Sequence, residues 1–427
     1  MKFLKQFSLY TFVGFLNAGI SFLLMPYISH HINPAGNGIL SMVNSLVTIY
    51  IPLMGITAAG LITIEFYNEK DTLKFASFFT SILAIPLIPA MVLVIASVIF
   101  SGHISALLEI PPSKTYWVPL GAVIAWLTIY VEILFSYILV EQKPLLYAKI
   151  NISKFLIEIS LTVIFISVFK MSWEGRLLSW FITTVLFFII SFWYFIKRKL
   201  ITFNLQRVYV SAGINFGLPL VLHTIGKFII NQSDRIFIAK LVTIEEAGIY
   251  NIGYQFGMII LVLVTALGNF YSPFLYERLS NRTKEGDLAI VKIIYLSIIG
   301  LFVATISLYL FAPLIFKFMI DPSYSKGVIY VFWTGLSYFF WGVYILFTGF
   351  IFYAKKTKLL GYLSVINIIL NITLNYFLIK KIGALGAVYA TCISFFIVAC
   401  IIVLYGSRTF KLPWCNLKEI FSNKGNP

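Results

Sequence analysis

Between Phe75 and Phe100 the chain runs for 26 residues without a charged side chain, and Tyr116 to Val131 adds 16 more before Glu132. A helix needs roughly 20 mostly apolar residues to cross ~30 Å of hydrocarbon, so runs of this length are membrane spans. Charged residues make up 11% of the 427 and hydrophobic ones 60%. A soluble domain carries about 25% charge, so this chain has too little to cover a surface in water. The polar alternation of barrel strands is absent. The spans are therefore expected as helices, which satisfy their own backbone hydrogen bonds in lipid.

About twelve spans are legible, at roughly 7–29, 38–62, 75–100, 116–140, 145–169, 176–196, 208–231, 246–274, 289–314, 327–353, 358–379 and 385–407. The formal net charge of +16 would suit nucleic acid, but the basic residues sit in short connections between apolar runs. That placement is the signature of membrane topology. The termini and the connections on their side hold the Lys197–Lys199 run, Arg278, Arg282, Lys284, Lys355, Lys356, Lys358 and Arg408. The opposite connections hold about half as many cations, which predicts both termini in the cytoplasm. Cys392, Cys400 and Cys415 form no disulfide or metal pattern, and Met1 to Gln6 leads into an apolar stretch too long for a cleaved signal.

The second half repeats the first. Ala35-Gly36 recurs as Ala247-Gly248, Val131-x-Ile133-Leu134-Phe135 as Val343-x-Ile345-Leu346-Phe347, and Lys143 as Lys355, each at a shift of 212. Gly175 and Gly386 differ by 211, and Thr57-Ala58-x-Gly60 recurs as Thr265-Ala266-x-Gly268 at 208. Six spans per half is even, so both halves enter from the same side. The expected fold is all-α and polytopic, with two six-helix lobes related by a parallel pseudo-two-fold around a central cavity. Residues 1–200 would form the N-terminal lobe, 201–410 the C-terminal lobe and 411–427 a cytoplasmic tail.

Polar residues recur inside three spans. Asn151, Lys154, Glu158 and Thr162 share one helical face in span five, with Tyr147 extending it. Ser364, Asn367, Asn371 and Asn375 repeat that spacing in span eleven at an offset of 213. Span seven adds Asn215, His223, Lys227 and Asn231, running toward Asp234 and Arg235. A charge at mid-membrane costs about 2.5–3.5 kcal/mol even on the lenient insertion scale. These faces are therefore expected to line a hydrated cleft between lobes. Other roles stay open. Lys154 and Glu158 can neutralise each other as a packing pair, Lys227 and Lys149 can snorkel, and the Asn row can be interhelical glue. Asp234–Arg235 can be a helix-end ion pair, His223 a hydrogen-bonded interior residue, and Glu132 either a helix-pairing group or a proton carrier.

Catalytic machinery is not legible. There is no G-x-x-x-x-G-K-[ST] loop, no metal-spaced Cys/His cluster, and no partner beside His30, His31 or His103 for nucleophilic chemistry. The connections are short, with no large loop to hold catalytic carboxylates. No catalytic residue, metal or cofactor is expected.

Certain stretches carry a resemblance. They are Asn231-Gln232-Ser233-Asp234-Arg235-Ile236-Phe237-Ile238, then Glu246-Ala247-Gly248-Ile249-Tyr250, then Asn371 to Tyr376 followed by Ile382-Gly383-Ala384-Leu385-Gly386-Ala387-Val388-Tyr389-Ala390-Thr391. With the span count and the repeat, the whole chain resembles the Wzx-type O-antigen and polysaccharide flippases of the multidrug/oligosaccharidyl-lipid/polysaccharide (MOP) transporter superfamily. The resemblance implies translocation of undecaprenyl-pyrophosphate-linked oligosaccharide from the inner to the outer leaflet of a bacterial plasma membrane by alternating access. It also implies membrane lipids, a polysaccharide polymerase and chain-length proteins as partners, and no nucleic acid. Lys154, Lys227 and Arg235 would then bind diphosphate or acidic sugars. Asn151, Asn231, Asn367, Asn371 and Asn375 suit sugar hydroxyls, and Tyr147 and Trp341 could stack on sugar rings.

Two alternatives remain. A cation-coupled drug or metabolite exporter of the same superfamily would use Glu132, Glu158 or His223 for H⁺ or Na⁺. A membrane-embedded enzyme of cell-wall assembly is the other.

Overall fold

A computed structural model describes residues 22, 24–69, 71–356, 358–416 and 419, and leaves the side chains of His223 and Lys227 undescribed. Span 7–29 lies largely outside the described residues, as does most of the tail beyond 416. The described chain is helical throughout. After a helical segment ending at His31 come α1 (Pro34–Gly55), α2 (Ala59–Asn68), α3 (Thr72–Ala84), α4 (Leu87–Ile99), α5 (Ser101–Leu107), α6 (Trp117–Val140) and α7 (Pro144–Val163). A π-helical turn, Ile164–Val168, extends α7. Then follow α8 (Trp173–Lys197), α9 (Arg207–Leu241), α10 (Ile244–Gly257), α11 (Ile259–Ser280), α12 (Lys284–Met319), α13 (Val328–Tyr353), α14 (Lys358–Ile382) and α15 (Leu385–Thr409).

Eleven helical stretches among the described residues are long and apolar enough to cross a membrane. They overlap spans two to twelve of the sequence reading, with ends that differ by up to seven residues; the largest shift is in span two, whose helix stops at Gly55. The protein is therefore an all-α, multi-pass membrane protein. Its lipid-facing surface is legible in α4, where Ile88, Met91, Val92, Ile95 and Val98 are exposed at helical spacing while Ala90 and Ser97 are buried. In hydrocarbon such a face needs no cover.

By their contacts the residues form two units, Met1–Gly248 and Ile249–Pro427, with the boundary inside α10. In the first unit α6 is the central helix, packing on α1, α4, α7 and α8. In the second, α13 holds the same place, packing on α11, α12 and α15. These two helices carry the Val-x-Ile-Leu-Phe repeat, and Leu134 and Leu346 are both fully buried. The repeated motif thus marks the core helix of each unit. Within the second unit, the segment after α15 folds back. Trp414 stacks on Phe347 at 5.5 Å, and the Tyr295 hydroxyl donates to the Trp414 carbonyl at 2.6 Å.

One copy of the repeated Ala-Gly pair, Ala247-Gly248, has a steric cause. Asn33 caps α1 by accepting from the Gly36 amide, and the start of α10 lies against this first turn. A Cβ on Gly248 would stand 1.9 Å from the Pro34 carbonyl oxygen, and one on Gly38 would stand 2.0 Å from that of Ile244. Two backbones can approach this closely only through glycine. Asn37 Nδ2 donates to the Gly248 carbonyl at 3.0 Å across the same contact. Gly248→Ala is therefore expected to cost about 1–3 kcal/mol by overpacking. Gly300→Ala, where a Cβ meets nothing within 4 Å, is expected to be neutral or slightly stabilising. Thermal midpoints in detergent check this, and equal midpoints for the two variants would contradict it.

Candidate functional site

α7 starts at Pro144, whose missing N–H suits a first helical turn. At 1.5 Å per residue, Lys154 lies about 15 Å along the helix and Glu158 about 21 Å. If the first turn of α7 lies at one interface, both fall inside a ~30 Å hydrocarbon layer. The hairpin partner α8 runs back antiparallel. Arg176, in its first turn, reaches the same carboxylate: Arg176 Nη1 is 2.7 Å from Glu158 Oε1. Lys154 Nζ is 3.5 Å from Glu158 Oε2. Arg176 Nη1 also donates to Thr162 Oγ1 at 3.4 Å, while the Thr162 hydroxyl donates to the Glu158 carbonyl at 2.7 Å. Two cations thus share one carboxylate, and Arg176 is held by two acceptors.

The cluster is not sealed. The side chains of Lys154 and Arg176 keep 26% and 25% of their surface accessible, and Glu158 keeps 14%. Glu132 on α6 is accessible and close enough for its charge to act on Lys154. It forms no ion pair within 4 Å among the described residues, so it is a neighbour of the cluster rather than part of the tight pair. Toward the Pro144 end the stripe continues through Asn151 and Tyr147. It ends at Glu141, which Lys143 reaches at 2.8 Å and Arg198 at 3.5 Å, and which accepts from the Tyr194 hydroxyl at 2.5 Å. Polar groups therefore follow α7 through most of its length. Beyond Thr162 the helix widens into the π turn, and the Tyr27 hydroxyl sits 2.6 Å from Ser167 Oγ there.

The expected stripe of span eleven lies elsewhere. Asn367, Asn371 and Asn375 are buried, not on a wet face, which corrects the expectation of an accessible row. Asn371 Nδ2 donates to Thr391 Oγ1 on α15 at 3.3 Å, and Asn375 Nδ2 donates to Asn371 Oδ1 at 3.0 Å. The cause is the facing helix. α15 buries Gly386, Ala387, Ala390, Thr391 and Ser394, and small residues let it close over the amides. Asn367 Oδ1 has no hydrogen-bond partner among the described residues.

In α9, Asp234 and Arg235 are buried, and Arg235 Nη1 donates to the Asn231 carbonyl at 2.8 Å. They lie about 40 Å from the start of this helix, too far along to sit at mid-membrane if its first turn lies at one interface. Asn215 is exposed and donates to Ser211 Oγ at 3.4 Å. The side chains of His223 and Lys227 lie outside the described part of the structure.

The structure therefore joins Lys154 and Glu158 and adds Arg176, which the sequence analysis did not single out. The signal for Arg176 was available. Phe169–Ser172 is a short connection, so α7 and α8 form an antiparallel hairpin, and a long Arg side chain can span the remaining offset.

A helical fold that crosses the membrane many times, with paired charges held inside its spans, defines a class: a multi-pass membrane protein with a polar cluster within its helices. The family model described as "Polysaccharide biosynthesis protein" matches residues 3–275, more than half of the chain, and the chain belongs to that family. A second model, MatE, matches residues 219–377. "Lsg locus putative protein 1" of Haemophilus influenzae is 24% identical over 389 residues, covering 87% of this chain and 90% of that protein. An "Uncharacterized membrane protein" of the same organism is 24% identical over 410 residues, covering 92% and 91%. Among solved structures, an inward-facing multidrug resistance MATE family transporter of the MOP superfamily aligns with TM-score 0.70 at 13% identity, over 91% of this chain and 93% of that one. The lipid II flippase MurJ, in an inward closed conformation, aligns with TM-score 0.68 at 16% identity, over 94% and 87%. These identities carry the fold alone, which the chain shares with both structures.

If the Asn row is packing glue, Asn371→Ala removes both of its side-chain hydrogen bonds. It should cost about 0.5–1.5 kcal/mol, the usual range for interhelical polar contacts in membranes, and lower the thermal midpoint. An unchanged midpoint would show that the row does not hold α14 to α15.

Proposed function

We propose that this protein is a flippase that moves an undecaprenyl-pyrophosphate-linked oligosaccharide, an O-antigen or capsule repeat unit, from the inner to the outer leaflet of a bacterial plasma membrane. The observation that carries the reading is the Lys154–Glu158–Arg176 cluster, charged and partly accessible at the depth of the hydrocarbon core. Isolated charges there are costly and mark substrate or ion pathways. A diphosphate sugar needs a polar path with cations on it, whereas its lipid tail can stay in the bilayer. Lys154 supplies a charge-assisted donor. Asn151, with its amide donors and acceptor, suits sugar hydroxyls. Membership of the polysaccharide biosynthesis family and the fold shared with a lipid II flippase support the same reading. The excess of Lys and Arg on the side of the termini supports a cytoplasmic location for both ends. A polymerase and chain-length proteins would act on the product.

One observation favours a second reading. Glu132 is an accessible acid inside a span, as a cation-coupled exporter would need, and MATE transporters share this fold.

Deleting the gene in its host tests the two. A flippase predicts loss of surface polysaccharide with lipid-linked repeat units retained in the inner leaflet. Unchanged glycan with new drug sensitivity would replace it by the exporter reading. Restoring the gene as Lys154→Ala, at wild-type abundance, should leave surface glycan reduced about tenfold or more, since a charge-assisted hydrogen bond contributes about 1.5–3 kcal/mol. Full restoration would remove Lys154 from the path.

A further inference from the structure

We propose that Arg176 is a positioning residue: by holding Glu158 it leaves Lys154 available to a phosphate or carboxylate group of the substrate. This rests on the flippase reading and refines its site. The two cations are not equivalent. Arg176 is 2.7 Å from Glu158 and is fixed a second time by Thr162, so its planar guanidinium has a defined orientation. Lys154 is at 3.5 Å from the same carboxylate and has no other ion pair within 4 Å among the described residues. It is the looser cation, on a flexible stem, and it is partly accessible.

The second unit shows what this helix pair needs for packing alone. There the corresponding hairpin, α14 and α15, is tied by Asn371 and Thr391, both neutral. A charge is therefore not required to join such helices. Glu158 with Arg176 already provides an interhelical tie in α7 and α8, so Lys154 is surplus to packing.

The surrounding charges set the chemistry of the ligand. Glu158 on α7 lies 3.5 Å from Lys154, and Arg176 lies beyond Glu158 on α8. An incoming anion therefore has to compete with Glu158 for Lys154. A diphosphate, with more than one negative charge, competes better than a single carboxylate. The inferred ligand group is thus the diphosphate of a lipid-linked sugar rather than an acidic sugar.

Inorganic pyrophosphate and glucuronate serve as probes, titrated by calorimetry into the full-length protein in lipid nanodiscs. Wild type is expected to bind pyrophosphate at least tenfold more tightly than glucuronate, and Lys154→Gln to lose at least tenfold in pyrophosphate affinity. Arg176→Gln is expected to lose a similar factor, because Glu158 then captures Lys154. The double variant Arg176→Gln/Glu158→Gln is expected to recover pyrophosphate affinity toward wild type whether or not its thermal midpoint recovers; a merely structural arginine would instead make affinity and midpoint recover together. Size exclusion and thermal midpoints establish that each variant is folded. Wild-type affinity in folded Arg176→Gln, or a folded double variant no better than the single, overturns the proposal. So does the absence of pyrophosphate binding by wild type. Tighter glucuronate than pyrophosphate binding overturns the diphosphate assignment. Pyrophosphate binding with this pattern, alongside unchanged surface glycan in the deletion strain, would uphold the site and reject the flippase reading.

Discussion

A charge inside a bilayer must be paired or wetted, and the structure around α7 follows from that constraint. Hydrocarbon offers no hydrogen bonds, so Glu158 inside a span demands cations, and the hairpin geometry of α7 and α8 supplies one from each helix. The pairing with Arg176 is short enough to tie the helices. The pairing with Lys154 is longer, and all three side chains keep some accessible surface. Tight ties and loose ones have different uses. A fully satisfied buried pair would only hold helices together, whereas a cation with a weak partner can exchange it for a ligand.

The two halves resolve the same problem differently. Each has a central apolar helix, α6 or α13, marked by the same motif, and each places a polar row on the helix that follows. In the second half the row is neutral, and α15 with its glycine and alanine face closes over it. In the first half the row is charged, and Thr162 is its one fully buried member among the described residues. A duplicated frame has thus kept one copy as packing and left the other open. Asymmetry of this kind lets a transporter keep a stable scaffold while confining its polar path to part of it.

Much of the fold was legible in the sequence, because the physics of the bilayer is one-dimensional at that level. Length, absence of charge and spacing suffice to read spans, and eleven of them are found where they were read. The depth of Lys154 and Glu158 and their shared face followed from the same periodicity. What depends on a second helix did not. The Asn row of span eleven reads like the charged row of span five, and only the small residues of α15, in another segment, decide that it is buried. Arg176 was not singled out because its partner lies across a hairpin. The π turn at Ile164–Val168, which widens α7 just beyond Thr162, has no clear pattern in the sequence. Asp234 and Arg235, read as the continuation of the polar row of span seven, are buried far along α9. Their distance along the 35-residue α9 became clear only with that helix's full length.

The most direct test is flipping itself. The purified protein would be placed in sealed vesicles carrying an undecaprenyl-pyrophosphate-linked oligosaccharide in the inner leaflet. Arrival of the sugar outside would be followed with an impermeant oxidant. Vesicles with the wild-type protein are predicted to expose the sugar far faster than protein-free vesicles, and a variant with Lys154, Glu158 and Arg176 all neutralised is predicted to match the protein-free rate. Exposure by that neutralised variant at the wild-type rate would contradict the assignment of the path to α7 and α8. No protein-dependent exposure at all, from active and correctly oriented protein, would contradict the flippase reading.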